Sequence, residues 1–266
     1  MKILTDTHIH TVRSACCTDE RQTAAFVAGL LAERGFRAMA VTDHLWCNPA
    51  IPPKGWPARH PLENLLPQIG EIRREKFPIR VFSSCEADMQ GPGRIGITPE
   101  AARCFDFVSV ASDHFQLKYF VDQPEEPTPE KLAPMLLNFF TSAVKSGLAQ
   151  ILLHPLFTNG YVELFDATAA LIGDEEYLTA LSAAAERNIG LEINCGVIAM
   201  AEQGRFSIAS MERIFRLAKR AGCTFTFGSD AHRAEDLELY APAEDFADRV
   251  GITADDLHPI IRPYYP

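Results

Sequence analysis

The chain has 266 residues, of which 47% are hydrophobic, so it is long enough to bury one large core or two small ones. Its formal net charge of -10 argues against extended nucleic acid as a partner, because such binding depends on basic patches. No apolar stretch is long enough to span a membrane, and the N-terminus lacks a secretory pattern. We therefore expect a cytoplasmic protein in which residues 1–266 form one domain.

Short apolar runs alternate with amphipathic stretches, a pattern that predicts buried strands alternating with helices. The predicted strands are Lys2–Asp6, Arg37–Thr42, Ile79–Cys85, Phe107–Ala111, Gln150–Leu153, Gly190–Ile193 and Cys223–Gly228. The predicted helices are Thr23–Arg34, Leu62–Lys76, Pro134–Lys145, Tyr177–Arg187, Ile208–Arg220 and a short helix from Pro242 to about Arg249. Two loops stand out. Leu45–Pro61, which contains two tryptophans and five prolines, is expected to cover the site, and the acidic Asp122–Pro129 is expected to lie at the surface.

Residues that bind metal ions follow almost every predicted strand. Six of the eight histidines lie at these positions, which scattered histidines would not do. Side chains from all strand ends converge only if the ends form a ring, so we predict a distorted, TIM-like barrel of seven strands with a metal site at their C-terminal ends. The residues at these ends are His8, His10, His44, Glu86, His114, His154, Asn194, Asp230 and His232.

The first and last motifs have the same spacing. His8 and His10 are two residues apart on a strand end, so both imidazoles point to the same side, and Asp230 and His232 repeat this arrangement. The carboxylate of Glu86 is able to bridge two metal ions. The neighbouring carboxylates of Asp6 and Asp43 are interpreted either as partners that fix imidazole tautomers or as capping groups.

These motifs resemble the polymerase and histidinol phosphatase (PHP) family, and they occur in the family's order over almost the whole chain. The residues that carry the resemblance are His8-Ile9-His10-Thr11, Thr42-Asp43-His44, Glu86, His114, His154 and Ser229-Asp230-Ala231-His232. The resemblance implies a seven-stranded α/β barrel with two or three divalent metal ions, which in this family are zinc, manganese or iron.

The resemblance also implies a set of ligands for each ion. The first ion would be held by His8, His10, Glu86 and Asp230, the second by Glu86, His114 and His154, and the third by His44 and His232. Glu86, Asp230 and His232 are the expected catalytic residues. In the family's trinuclear branch a further histidine lies six positions after the second histidine of the first motif, where this chain has Cys16. Two interpretations stay open: Cys16 is a thiolate ligand, or the third site is weak or empty.

Such a site is suited to hydrolysis of a phosphate ester. Two cations that share a water lower its pKa, and the resulting bridging hydroxide attacks phosphorus while the cations offset the developing charge. We expect a phosphomonoesterase acting on a small phosphorylated substrate, with histidinol phosphate as first candidate because Leu62–Asp88 looks like histidinol-phosphate phosphatases. Nucleotides and phosphodiesters stay open. Arg13 and Arg233 are predicted to bind the substrate phosphate, and Asn194 to border the pocket. His60 and His258 are interpreted as loop residues.

Two other functions are compatible with parts of the pattern. An amidohydrolase also begins with His-X-His and ends with Asp on a barrel, but the Asp-Ala-His motif at Asp230–His232 and the glutamate at Glu86 count against it. A non-enzymatic metal-binding module would be expected to have lost ligands, whereas here only the position of Cys16 departs from the family's pattern. The sequence thus favours a metal-dependent phosphatase.

Overall fold

Ten short strands form two sheets in the computed structural model, which describes residues 1–266. They are β1 (Thr5–Ile9), β2 (Ala38–Val41), β3 (His44–Leu45), β4 (Arg80–Ser83), β5 (Glu86–Gly91), β6 (Arg94–Ile95), β7 (Ser109–Ala111), β8 (Ile151–Leu153), β9 (Gly190–Asn194) and β10 (Thr224–Gly228). The first sheet has the order β1-β2-β4 and the second the order β10-β9-β8-β7-β5-β3. All pairs are parallel except the hairpin of β5 with β6.

Nine α-helices connect and cover the strands. They are α1 (Ala24–Glu33), α2 (Leu62–Arg74), α3 (Pro99–Ala102), α4 (Pro129–Lys145), α5 (Phe165–Leu171), α6 (Asp174–Ala185), α7 (Cys195–Glu202), α8 (Ile208–Arg220) and α9 (Tyr240–Val250). Short 3-10 helices occupy Trp56–Arg59, Val162–Leu164, Ala234–Glu238, Ala254–Asp256 and Arg262–Tyr264. None of the helices combines the length and the apolar character that crossing a bilayer requires.

The structure is a mixed α/β fold with parallel sheets, but it shows no closed sheet, so the predicted barrel is not confirmed. The strands nevertheless succeed one another side by side. β2 and β3 are separated only by Thr42 and Asp43 along one extended segment, and β4 and β5 in the same way by Ser84 and Cys85. The first sheet therefore continues into the second.

The first and last strands also lie side by side. The Asp230 amide donates to the His8 carbonyl at 2.8 Å, and the His10 amide donates to the Ala231 carbonyl at 3.0 Å. These bonds lie at the C-terminal ends of β1 and β10 and bring the first and last sequence motifs together.

The apolar runs of the sequence form the buried strands of the core. Strands β7, β8 and β9 are buried at every residue, as expected for parallel strands covered on both faces. A large cluster of 69 buried residues includes residues of all three strands and of the helices around them, and a second cluster of four contains Ile151 and Leu153 of β8.

Several boundaries differ from the prediction. β1 begins at Thr5 and not at Lys2. It ends at Ile9 and not at Asp6, because the polar residues Thr7 and His8 are buried within the strand, whereas their polarity suggested that it had ended. α4 begins at Pro129 and accommodates Pro134 in its interior, and α9 begins at Tyr240. The prediction missed the β5–β6 hairpin and α7, which follows β9 without a loop.

Two glycines offer a test of the packing. A Cβ at Gly96 would lie 2.6 Å from Trp46 Cε3 and 2.9 Å from the Leu45 carbonyl, whereas a Cβ at Gly29 in α1 would meet no atom within 4 Å. We expect Gly96→Ala to destabilise the fold by about 1–3 kcal/mol through overpacking. The matched Gly29→Ala should stabilise it by about 0.5–1 kcal/mol. Urea unfolding followed by circular dichroism measures both, and equal effects of the two substitutions would contradict the described packing of Trp46.

Candidate metal centre

The side chains at the strand ends meet around the carboxylate of Glu86, the first residue of β5. Its Oε2 lies 3.3 Å from His10 Nε2 and 3.0 Å from His44 Nδ1. Its Oε1 lies 3.2 Å from His114 Nε2 and 3.1 Å from His154 Nε2. The two oxygens of one buried carboxylate thus face two separate groups of imidazoles, an arrangement that suits a ligand shared between two cations.

One group comes from the first and last strands. Asp230 Oδ1 lies 3.4 Å from His8 Nε2 and 3.1 Å from His10 Nε2. Two ligands of a tetrahedral zinc ion, at the usual Zn–N distance, are about 3.3 Å apart. The three atoms therefore have the spacing of ligands around one cation.

A further group lies at the entrance. The ligand atoms of His10, Cys16, His44 and His232 all lie within 4.8 Å of one another. The rings of His10 and His232 stack with centroids 4.2 Å apart. Burial, together with the nearby carboxylates of Glu86 and Asp230, raises the pKa of the Cys16 thiol. The structure therefore brings Cys16 to the expected place beside His44 and His232.

Three buried carboxylates orient the imidazoles from behind. Glu192 Oε1 lies 2.8 Å from His8 Nδ1, Asp88 Oδ1 lies 2.6 Å from His114 Nδ1, and Asp113 Oδ1 lies 2.7 Å from His154 Nδ1. A carboxylate that accepts the Nδ1 hydrogen leaves the Nε2 lone pair free for a cation. The three Nε2 atoms indeed face the Glu86 carboxylate.

Asp6 and Asp43 do not accept a hydrogen bond directly from an imidazole. Asp6 accepts from the backbone amides of His8 and Ser229 and from the Tyr240 hydroxyl, so it fixes the β1–β10 contact and not a tautomer. Asp43 accepts from Thr11 and from the Ser14 hydroxyl, whose oxygen lies 3.2 Å from His10 Nδ1. Asp43 therefore reaches His10 only through a serine.

The centre lacks positive charge from the usual basic residues. No lysine or arginine is buried, whereas six carboxylates are. Burial alone would lower the pKa of His10, but hydrogen bonds to Asp230 and Glu86 outweigh it and raise the pKa to about 9. Burial would likewise raise the pKa of Glu86, but the imidazoles of His44, His114 and His8 hold it well below its usual value. These shifts mean that the site strongly favours bound positive charge.

The unpaired atoms fit metal ions as the source of that charge. His44 Nδ1 and Asp88 Oδ2 are buried without a hydrogen-bond partner. His44 Nδ1 faces Glu86 Oε2 without being aligned to donate to it. Imidazole nitrogens and carboxylate oxygens that converge in this way form a donor set typical of zinc, manganese or iron sites.

Backbone strain is concentrated in the same place. His154 has φ of 30° and Asp230 has φ of 59°, both in the left-handed region that side chains other than glycine seldom adopt. Each follows the end of a strand, β8 or β10, where this conformation turns the chain sharply. Positive φ cannot be read from these residue types in the sequence.

A cleft of about 250 Å³ opens onto the centre and is lined by Glu86, Asp230, His44, His114, His232, Cys16, Trp56, Gln116 and Leu117. Trp56 belongs to the Leu45–Pro61 loop and lies edge-on to His44, with ring centroids 4.5 Å apart. The loop therefore contributes to the site as expected, although its other tryptophan, Trp46, is buried in the core.

His60 is a residue of this site that the sequence interpretation placed only in a loop. It is buried, its ring lies 5.4 Å from that of His44, and its Nε2 accepts from the Ala15 amide at 2.9 Å. Burial and the neighbouring His44 lower its pKa to about 4, so it is neutral. His258 is also buried but lies elsewhere, bonded to the Asn188 carbonyl.

The three residues predicted to bind substrate do not line the cleft. The Asn194 side chain caps α7 by accepting from the Val197 amide at 2.9 Å. Arg13 and Arg233 are exposed, and Arg233 pairs with Asp236 at 3.2 Å. A substrate role for these residues stays a prediction without support from this geometry.

No protein-family model matches the chain. Among curated proteins, a probable phosphatase of Aliivibrio fischeri is 25% identical over 261 residues, covering 96% of this chain and 88% of the relative. A probable phosphatase of Syntrophotalea carbinolica is 23% identical over 257 residues, covering 97% and 92%. A third, from Vibrio vulnificus, is 34% identical over 91 residues, which is 33% of this chain and 34% of the relative.

Two solved structures share the fold. Histidinol phosphate phosphatase from Lactococcus lactis, complexed with zinc, L-histidinol and phosphate, has a TM-score of 0.55 and 15% identity, with 94% of each chain covered. A putative histidinol phosphatase from Listeria monocytogenes has a TM-score of 0.58 and 14% identity, covering 88% of this chain and 97% of the neighbour. The fold of this chain is similar to the folds of these two proteins. The predicted resemblance is thereby confirmed at the level of the fold.

The charge balance predicts how the centre responds to metal. We expect Zn²⁺ or Mn²⁺, added to chelator-treated protein at pH 7, to raise the melting temperature and to release protons. When the free metal concentration is a hundred times Kd, the free energy of unfolding should rise by about 2.7 kcal/mol. Protons are released because imidazoles such as His10, whose pKa lies near 9, are protonated without a cation and must deprotonate to bind one.

Calorimetric titration in two buffers of different ionisation enthalpy measures the released protons, and scanning fluorimetry measures the melting temperature. Ca²⁺ is the control, since it prefers oxygen ligands and should bind weakly to an imidazole-rich site. A titration in which Zn²⁺ and Ca²⁺ behave alike would argue against the metal centre.

Proposed function

We propose that this protein hydrolyses phosphate monoesters of small molecules with the help of metal ions held around Glu86. The observation that carries the proposal is the division of the Glu86 carboxylate between two groups of imidazoles. The predicted enzyme class, a phosphatase, is confirmed by relatives named probable phosphatases that align over nearly the whole chain.

We further propose which residues hold the ions. The first ion is held by His8, His10, Asp230 and Glu86, the second by Glu86, His114 and His154, and the third by His44, His232 and Cys16. Zinc, manganese and iron all suit these donors. We interpret the succession of strands, with β1 beside β10, as a distorted seven-stranded barrel whose sheet hydrogen bonding is interrupted.

Metal ions bound in this way supply an activated water and offset negative charge on the phosphoryl group. The chain's own residues prepare the site for them. Asp88, Asp113 and Glu192 fix the imidazole tautomers, and Trp56 shields His44 from solvent. His232 at the cleft is neutral, because burial and the neighbouring His10 lower its pKa to about 4.

The size of the cleft favours a small substrate. Its volume of about 250 Å³ lies below the range of typical ligand pockets, about 300–1,000 Å³. A phosphoryl group with a short leaving group fits this space. Histidinol phosphate is the first compound to assay, since the Lactococcus lactis neighbour was crystallised with L-histidinol and phosphate.

The shared carboxylate is tested by Glu86→Gln, which keeps the shape but removes the charge. We expect activity on p-nitrophenyl phosphate to fall by about 10²–10³-fold, because the amide neither bridges two cations nor balances their charge. Glu130→Gln, an exposed position in the first turn of α4, is the matched control and should leave activity unchanged.

Circular dichroism and metal analysis accompany the assay of Glu86→Gln. Full activity with a full complement of metal in this variant would refute the proposed role. Hydrolysis of an amide or lactone but of no phosphate ester by the metal-loaded protein would refute the proposed reaction.

The proposed thiolate at the third ion is tested with Co²⁺, which absorbs in the near ultraviolet when bound to a thiolate. We expect the Co²⁺-loaded protein to show this charge-transfer band, because Cys16 lies among His10, His44 and His232. Cys16→Ala should lose the band and one bound ion, and Cys16→His should lose the band but keep the ion. The control is Cys17→Ala, whose thiol instead faces the His232 carbonyl at 3.1 Å. Persistence of the band in Cys16→Ala would exclude the thiolate.

A further inference from the structure

A second cavity adjoins the metal cleft. Its volume is about 230 Å³, and three residues, Trp56, Gln116 and Leu117, line both spaces. We call it the rim cavity; its other lining residues are Lys54, Gly55, Pro57, Lys118, Tyr119 and Phe120. A leaving group that extends past these three residues from a phosphoryl group at the metal centre would enter the rim cavity.

The rim cavity is lined by positive charge, although the chain as a whole is acidic. Lys54 and Lys118 are exposed, and neither lies within 4.0 Å of a carboxylate. The Lys118 ammonium lies 4.5 Å from the centroid of the Tyr161 ring, which positions it without neutralising it. No Asp or Glu lines this cavity, although the whole chain carries a formal net charge of -10.

The walls of the rim cavity are apolar and aromatic. Trp56 is half-buried and held against His44, Pro57 is buried, and Leu117 and Phe120 are half-buried. A ligand that fits here combines an apolar body with negative charge at its outer end. An amine would instead approach two lysines with no carboxylate to accept its hydrogen bonds.

We propose, building on the proposed phosphatase function, that the preferred substrates are phosphomonoesters whose leaving group carries a second negative charge, a carboxylate or a phosphate. Lys54 and Lys118 bind that charge, and Trp56 packs against the apolar part of the leaving group. Compounds with a cationic leaving group, such as the amino alcohol of histidinol phosphate, are poor substrates, so histidinol phosphate serves as the reference against which a faster, anionic substrate is measured. Lys54 and Lys118 are therefore specificity-determining residues that lie outside the metal centre.

Three aryl phosphates that differ in the charge of the para substituent test this: para-carboxyphenyl phosphate, phenyl phosphate and para-aminomethylphenyl phosphate. We expect the metal-loaded wild-type protein to hydrolyse the carboxylate with a kcat/KM about tenfold above that of phenyl phosphate, and the amine less well than either. In the Lys54→Gln/Lys118→Gln double variant, the advantage of the carboxylate over phenyl phosphate should disappear through a rise in the KM of the carboxylate. Added salt should reduce the advantage only in the wild-type protein.

Lys131→Gln, an exposed position in α4, is the control and should keep the wild-type order of substrates. An unchanged order in the double variant, or a wild-type preference for the amine, would overturn the proposed role of the lysines while phosphatase activity stands. Failure of the metal-loaded protein to hydrolyse any of the three would overturn the proposed function itself, and the inference with it.

Discussion

Negative charge buried without lysine or arginine is the constraint on which the rest of this structure depends. Six carboxylates are buried, and isolated burial of even one ionised carboxylate is costly. Here most of them lie against imidazoles, and the nearby carboxylates raise the pKa of those imidazoles above its usual value. Because metal ions satisfy both sets of groups at once, the cluster is better explained as a metal centre than as a set of histidines that pack in a core.

The fold supplies this cluster through the ends of its strands. Parallel strands place successive C-terminal ends at one edge. The break between β2 and β3 lets Asp43 leave the regular strand pattern, and the break between β4 and β5 directly precedes Glu86. Close approach is needed as well, since a Cβ at Gly228 would overlap the Glu192 carboxylate behind His8. The left-handed backbone conformation at Asp230 also permits this close approach, because it turns the chain directly beside β1. Strain is thus localised where the chemistry is located.

The sequence predicted the residues of the centre better than the shape around it. Histidine and carboxylate are informative at strand ends because few other roles place them there, so His8, His114 and His154 could be grouped at one candidate site from position alone, and the structure brings their side chains together. Which carboxylate stands behind which imidazole depends on register between strands, and this is why Asp88 and Asp113 were not assigned. His60 lies near the centre because of the path of a proline-rich loop, and the sequence of that loop has no periodic pattern from which its path could be predicted. Arg13 and Arg233 follow the motifs closely in sequence, but both lie on exposed loops. Their side chains are outside the cleft, which the sequence did not indicate, because the conformation of a loop cannot be predicted from the position of a motif.

The distribution of charge connects the centre to its surroundings. A chain of formal charge -10 repels long polyanions such as nucleic acid, so selection of a phosphorylated ligand has to be local. Metal ions bound at the bottom of the cleft would provide one local positive region, and Lys54 and Lys118 at its rim provide another. Between them, the narrow cleft and the Trp56 ring limit the ligand to a short apolar body. Two positive regions separated by an apolar passage would select a small molecule with negative charge at both ends, whereas the net negative charge of the chain would disfavour a long polyanion.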